Sequence, residues 1–148
     1  MRTVAAVVGG VGAALGALVF FLAIVGWGVI VLLSGLLPTT LVDLAFVGPT
    51  AAAALLSAVG LVGAWRTWQG VALRGALLML LAAVGIVVVH AVQPSLVSAA
   101  GAYGVPEGLR ADTGPPPGSY FRLALAPAVC LLVGTALAFL VARRPARP

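Results

Sequence analysis

Four long stretches almost free of charged side chains constrain this chain more than any other feature of its sequence. The first apolar run covers residues 4–33, and the others cover residues 44–65, 71–92 and 123–142. An α-helix rises about 1.5 Å per residue, so about 20 apolar residues cross the ~30 Å hydrocarbon core of a bilayer. The pattern predicts a single domain over residues 1–148: an all-α integral membrane protein, built as a four-transmembrane-helix bundle.

Composition indicates that lipid is the solvent for most of this surface. Hydrophobic residues make up 63% of the 148-residue chain and charged residues only 7%, with a mean hydropathy of +1.24. Soluble domains are ~45–50% apolar, and so few charges cannot cover a surface exposed to water. These values exclude a soluble enzyme, a disulfide scaffold, a disordered tail and a DNA-binding module.

The arginines are distributed unequally between the two sides of the predicted bundle. Six of the eight lie before the first span, between the second and third, or in the basic tail at residues 143–148. The longest connection, at residues 93–122, balances its two arginines with two acidic residues. The positive-inside rule therefore predicts cytoplasmic N and C termini in a multi-pass protein of the cell membrane, the inner or plasma membrane. Arginine in place of lysine, with abundant alanine and glycine, indicates a prokaryotic source.

The connection at residues 93–122 contains several glycines and the run Pro-Pro-Pro-Gly at residues 115–118. Such a segment favours irregular or polyproline-like backbone, so we expect a longer irregular extracytoplasmic loop between helices 3 and 4. Two alternatives stay open elsewhere. The first run also resembles a cleaved signal peptide, although it is about twice as long as such a core. Residues 16–27 and 75–86 match at seven of twelve positions, as a tandem duplication of a helix pair would also produce.

Small residues recur at helical spacing in the first two spans. Helices in lipid associate through close backbone approach, which Gly, Ala and Ser permit. The predicted helix-packing interface consists of Gly9, Gly12 and Gly16 in the first span and Ala53, Ser57 and Gly60 in the second. Two interpretations are open: assembly of the four helices within one chain, or docking of a partner chain or a second copy.

Two ionisable residues lie near the outer ends of predicted spans. Asp43 follows Thr40 by three residues, the spacing of a capping box that stabilises a helix start. A proton or cation site is the alternative for this acid. His90 is the single histidine and lies toward the same end, so the sequence suggests a polar pair of Asp43 and His90 at the outer interface. A lone interfacial histidine is the other reading of that position.

The short connection between the second and third spans combines aromatic and basic side chains. Trp and Arg are enriched where a protein crosses the membrane–water interface. The predicted interfacial anchors are Trp65, Arg66, Trp68 and Arg74.

These features indicate a function that depends on helix packing rather than on chemistry. One cysteine, one histidine and three acidic residues supply neither the usual metal ligand sets nor an activated nucleophile, so no catalytic residue, metal or cofactor is expected. We expect a non-enzymatic accessory or assembly subunit of a membrane complex, or a self-associating tetraspan. Its partners would be membrane lipids and other membrane-protein subunits or a second copy, with no nucleic acid. The alternative is a small oligomeric transporter or channel for an apolar or lipid-like substrate.

Overall fold

A computed structural model describes residues 1–34, 40–104 and 119–143, and within these ranges it contains helices and no strand. The helices are α1 (Arg2–Ser34), α2 (Thr40–Trp68), α3 (Ala72–Gly104) and α4 (Ser119–Ala142). Helices satisfy all their backbone hydrogen bonds within one segment, which an apolar chain in lipid requires.

Each helix contains a segment long and apolar enough to cross a membrane. The four segments are Arg2–Gly26, Val47–Trp68, Ala72–Leu96 and Leu125–Ala142. The prediction of an all-helical chain with four such segments is therefore confirmed.

At the end opposite the connection between α2 and α3, the helices extend beyond the predicted spans. The third apolar run was expected to close at Gln93 and Pro94, but α3 continues through Pro94 to Gly104. Proline removes one backbone hydrogen bond, a loss that helices in membranes tolerate. The expectation of irregular backbone is thus wrong for residues 93–104, and for 119–122, which begin α4. Residues 105–118 lie outside the described residues.

The four helices form an antiparallel ring. Each helix packs against its neighbours in the chain, and α4 closes the ring against α1. This arrangement brings together one end of the molecule that carries Arg2, Arg66, Arg74 and Arg143, here called the arginine end. The opposite end, where Thr50, His90 and Gln93 lie, is called the polar end.

The turn between α2 and α3 is closed by a glycine C-cap. The Gly70 N–H donates to the Thr67 carbonyl at 3.2 Å, and the Val71 N–H donates to the Arg66 carbonyl at 3.0 Å. This pattern requires a left-handed residue at position 70. Gly70 has φ 98°, a conformation that glycine adopts without the steric cost of a Cβ atom.

The interior is built mainly from small side chains. Most buried hydrophobic residues are alanines, and the largest fully buried apolar side chains are Phe20, Met79, Ile86 and Leu131. Large Val and Leu side chains are exposed along all four helices. Only 28% to 39% of each membrane-spanning segment is buried inside the molecule. Most of the surface therefore faces lipid or another chain.

Candidate functional site

The two predicted small-residue stripes lie in the interior of the bundle, and all six of their residues are buried. A Cβ atom added to Gly12 would lie 2.6 Å from Cys130 Cβ, and one added to Gly16 would lie 2.5 Å from Ser57 Oγ. One added to Gly60 would lie 2.9 Å from a methyl carbon of Leu131. At Gly12 the backbone of α4 leaves no room for a larger residue, whereas at Gly16 and Gly60 a larger residue would displace neighbouring side chains. The stripes contact helices of the same chain, so they are not free to receive a partner.

These close approaches share one register, which arranges the interior in layers. Gly9 faces Met79 and Ala64, while Gly134 packs against the Gly9 backbone. Each layer combines one or two large side chains with small ones, and the large side chains come from α1, α3 or α4. In order from the arginine end, the layers are Gly9–Ala64–Met79–Gly134, Gly12–Gly60–Ala82–Leu131, Gly16–Ser57–Ile86–Pro127 and Phe20–Ala53–His90.

Sequence reasoning missed the half of the packing surface that lies on α3 and α4. A Cβ atom at Gly134 would lie 2.8 Å from the Gly9 Cα atom, and one at Gly63 would lie 2.8 Å from the Gly75 carbonyl oxygen. The periodic signal is present in α3, where buried positions 72, 76, 79, 83, 86, 90 and 93 alternate spacings of four and three. Because Met79 and Ile86 belong to this series, a search for small residues alone does not find it.

Three polar side chains are buried together at the polar end. Thr50, His90 and Gln93 are 2%, 5% and 8% exposed. The Gln93 side-chain amide donates to Thr50 Oγ1 at 3.3 Å and so joins α3 to α2. Buried polar groups in a membrane protein are costly unless they are paired, and this bond pairs two of them across a helix interface.

His90 is held by its own helix and by an aromatic neighbour. Its Nδ1 lies 2.8 Å from the Ile86 carbonyl oxygen, and because a carbonyl only accepts, Nδ1 carries the proton. The ring centroid lies 5.1 Å from that of Phe20 on α1. His90 therefore contacts α1 about one helical turn before Gln93 joins α3 to α2.

The other buried hydroxyls are satisfied locally. Ser57, Thr67 and Thr135 each donate to the carbonyl four residues earlier in the same helix, at 2.9, 3.0 and 2.8 Å. These bonds remove the cost of burying a hydroxyl without tying one helix to another. The polar end thus differs from the middle of the bundle, because its polar contact joins two helices.

Two prolines flank the bond between Thr50 and Gln93. Pro49 lies in α2 and Pro94 in α3, and the register of the two helices sets them at the same level. Each proline deprives the carbonyl four residues earlier of its usual N–H donor. The same level marks the end of the packed interior on α1, where Phe20 is fully buried and Phe21 is exposed.

The predicted pair of Asp43 and His90 involves a side chain that lies outside the described residues. The backbone register gives one relevant fact, because residue 43 of α2 is level with residues 99 and 100 of α3. This is about nine residues, or ~14 Å, beyond His90 along the helix axis. The register of the described helices therefore does not favour direct contact, and the pair stays an untested prediction. The capping role of Thr40 and Asp43 also rests on side chains that are not described.

The four predicted anchors, Trp65, Arg66, Trp68 and Arg74, lie at the arginine end and are all exposed. They flank the turn at Gly70, and the Arg2 guanidinium lies against this turn: its Nη1 atom would be 3.1 Å from a Cβ atom at Gly70. The structure thus brings Arg2, which the distribution of arginine places on the same side of the membrane, against this turn.

The described residues offer little for metal or cofactor binding. Cys130 is partly buried beside Gly12, and no group of three or more His, Cys, Asp or Glu side chains gathers within the described part of the chain. A shallow, open depression near the arginine end is lined by Ala136, Phe139, Leu140 and Arg143.

The structure has four long apolar helices, an interior of small side chains and outward-facing Val and Leu side chains. These features define a multi-pass membrane protein with four candidate spans. In comparisons with known proteins, no protein family, curated protein or solved structure matches the chain.

Proposed function

We propose that this protein is a non-enzymatic membrane subunit that acts through helix packing, and that its contact surface is the α1 extension, residues 21–34. The supporting observation is that Phe20 is the last fully buried side chain of α1 among the described residues, while the helix continues to Ser34. The partner is another membrane-protein subunit or a second copy of the chain.

The length of the packed bundle supports this assignment. Arg2 to Phe20 on α1 and Arg74 to Gln93 on α3 each cover about 27–28 Å of helix, close to the ~30 Å hydrocarbon core. The α1 extension adds about 21 Å of apolar helix to this length. It must tilt strongly within the membrane or be covered by another apolar surface.

The extension has little cover from its own chain. Of its described large side chains, Ile24 is half-buried, while Phe21, Leu22, Val25, Val29 and Leu32 are exposed, with Leu32 reaching 81%. Gly26 and Gly28 have no neighbour within 4 Å of an added Cβ atom. Burying a Val, Leu or Phe side chain contributes about 1.5–3 kcal/mol relative to leaving it in water. This gain applies to any part of the extension that projects beyond the hydrocarbon core into water, because lipid provides no hydrophobic driving force between helices.

The alternative of a transporter or channel has no supporting observation in the described interior. The layers from Gly9 to Phe20 are filled by side chains from all four helices. A substrate path would have to run between copies of the chain or open by separation of the layers. Flux of an apolar substrate into proteoliposomes containing the purified protein would favour this alternative.

Photocrosslinking in native membranes tests the proposed contact surface. In a Cys130→Ala background, Val25→Cys and Val29→Cys alkylated with a thiol-reactive benzophenone are expected to give cross-linked products that mass spectrometry identifies as a second copy or a defined membrane protein. Val84→Cys is the matched control, because Val84 on α3 is exposed to a similar degree (51% against 45% and 50%) but lies in the packed bundle. Equal cross-linking at all three positions, or none at positions 25 and 29, would contradict the proposal.

We also propose that the arginine end faces the cytoplasm of a cell bounded by an inner or plasma membrane, with both termini on that side. Four described arginines at this end support the orientation. The polar end and the connection that contains residues 105–118 are then extracytoplasmic.

A further inference from the structure

Three arginines surround the turn between α2 and α3. Arg66 lies one helical turn before Gly70 and Arg74 one turn after it, while the Arg2 guanidinium of α1 lies against the turn itself. The register of the three helices keeps these residues within about two helical turns along the bundle axis. Arginines from the ends of three helices therefore lie around one corner of the molecule, with the Arg2 guanidinium placed against the turn.

None of these cations is neutralised within the described part of the chain. Arg2, Arg66, Arg74 and Arg143 are exposed and form no ion pair with any described residue. Of the three acidic residues in the sequence, Asp43 lies near the start of α2, and the other two belong to the connection between α3 and α4. Among the residues that the structure describes, the arginine end thus carries several positive charges without a countercharge.

The start of α3 adds to this positive field. Residues 72–74 begin the helix, and their backbone N–H groups have no acidic side chain in the first turn to accept from them. The residue before the helix is Val71, which has no side-chain oxygen for capping. The flanking Trp65 and Trp68 are exposed, as aromatic side chains are at the level of lipid headgroups.

We propose that the corner formed by Arg2, Arg66 and Arg74 binds the phosphate of an anionic phospholipid. The guanidinium fork matches the geometry of phosphate oxygens. The adjacent apolar helix surface, with exposed Leu73 and Leu77, accommodates the acyl chains. A phospholipid is favoured over free phosphate because the corner and the polar end are separated by about one bilayer thickness. The corner therefore lies at the level of the headgroups of one leaflet.

Tryptophan quenching in nanodiscs tests this site in the full chain. Trp27→Phe leaves Trp65 and Trp68, both beside the corner, as the only tryptophans. Traces of brominated phosphatidylglycerol or brominated phosphatidylcholine in a phosphatidylcholine bilayer then report which lipid occupies the corner. We expect stronger quenching by the anionic lipid, and a loss of this preference of about five-fold for each of Arg66→Gln and Arg74→Gln.

Three controls make the result decisive. Arg66→Lys with Arg74→Lys should keep only the part of the preference that charge supplies without the guanidinium fork, and Arg110→Gln with Arg122→Gln, which precede the fourth span in the sequence, should leave it unchanged. Inorganic phosphate at matched ionic strength should compete no better than chloride. Equal quenching by the two lipids would overturn the proposal, as would an equal loss in the Arg110/Arg122 variant. Specific competition by inorganic phosphate would overturn the choice of a lipid.

Discussion

At the level of single residues, the glycines of this chain differ in what an added side chain would meet. A Cβ atom at Gly134 would lie 2.8 Å from the Gly9 backbone, whereas one at Gly26 would have no neighbour within 4 Å. Backbone atoms cannot rotate away as a flexible side chain can. The same substitution should therefore have opposite consequences at the two positions.

We expect Gly134→Ala to destabilise the bundle by about 1–3 kcal/mol, because overpacking forces the helices apart. Gly26→Ala should be neutral or slightly stabilising, because alanine has the higher helix propensity. Reversible unfolding in mixed micelles, or steric trapping in bicelles, measures both variants on one scale. Equal effects of the two substitutions would show that α1 and α4 do not approach each other at Gly9 and Gly134.

The polar residues follow a similar distinction between local and long-range partners. Ser57 donates within its own helix, while Gln93 donates across to Thr50. Deleting a hydroxyl that bonds its own backbone leaves the helix interface intact. Deleting one end of the interhelical bond leaves the other buried group to find a new partner.

A double-mutant cycle with Thr50→Val and Gln93→Leu should therefore give a coupling free energy of about 0.6–1.7 kcal/mol, the range for interhelical hydrogen bonds in membranes. The matched cycle pairs Gln93→Leu with Ser57→Ala and should give coupling near zero. Unfolding free energies of the single and double variants supply both values. Comparable coupling in the two cycles would rule out a specific bond between positions 50 and 93.

At the level of helices, the register of α1 and α3 bears on the suggested duplication. The sequence match pairs Gly16 with Gly75, but the layers place Gly16 level with Ile86, about eleven residues or ~16 Å further along α3. Repeats related by an axis along the membrane normal place equivalent residues at equal depth. The register therefore does not support a tandem duplication, and the match reflects a chain rich in Gly, Ala, Val and Leu.

The ends of the helices are also predicted poorly from local sequence patterns. Gln93 and Pro94 suggest the end of a span, yet α3 continues for another ten residues to Gly104. A polar residue followed by proline is compatible with a helix here because Gln93 is paired with Thr50 on α2. That pairing depends on tertiary contact, so the sequence around residue 93 cannot reveal it.

At the level of the whole molecule, the distribution of arginine predicts orientation. With four spans and described arginines at one end, a fluorescent protein that folds only in the cytoplasm should be fluorescent when fused to the C terminus. A phosphatase that folds only outside should be inactive at the same position. A fusion after residue 112 should show the reverse pattern. A fluorescent fusion at residue 112 with a dark one at the C terminus would invert the proposed orientation.

The sequence by itself determined how many helices form and which solvent surrounds them, because hydropathy and charge-free length are properties of a continuous segment. Composition also indicated that small residues mediate packing, as the buried glycines of α1 show. Only the tertiary structure decided which faces meet. The contacts between Gly9 and Gly134, and between Thr50 and Gln93, join residues far apart in the chain, and each depends on helix register. Register is set by the simultaneous fit of all layers, so no single segment encodes it.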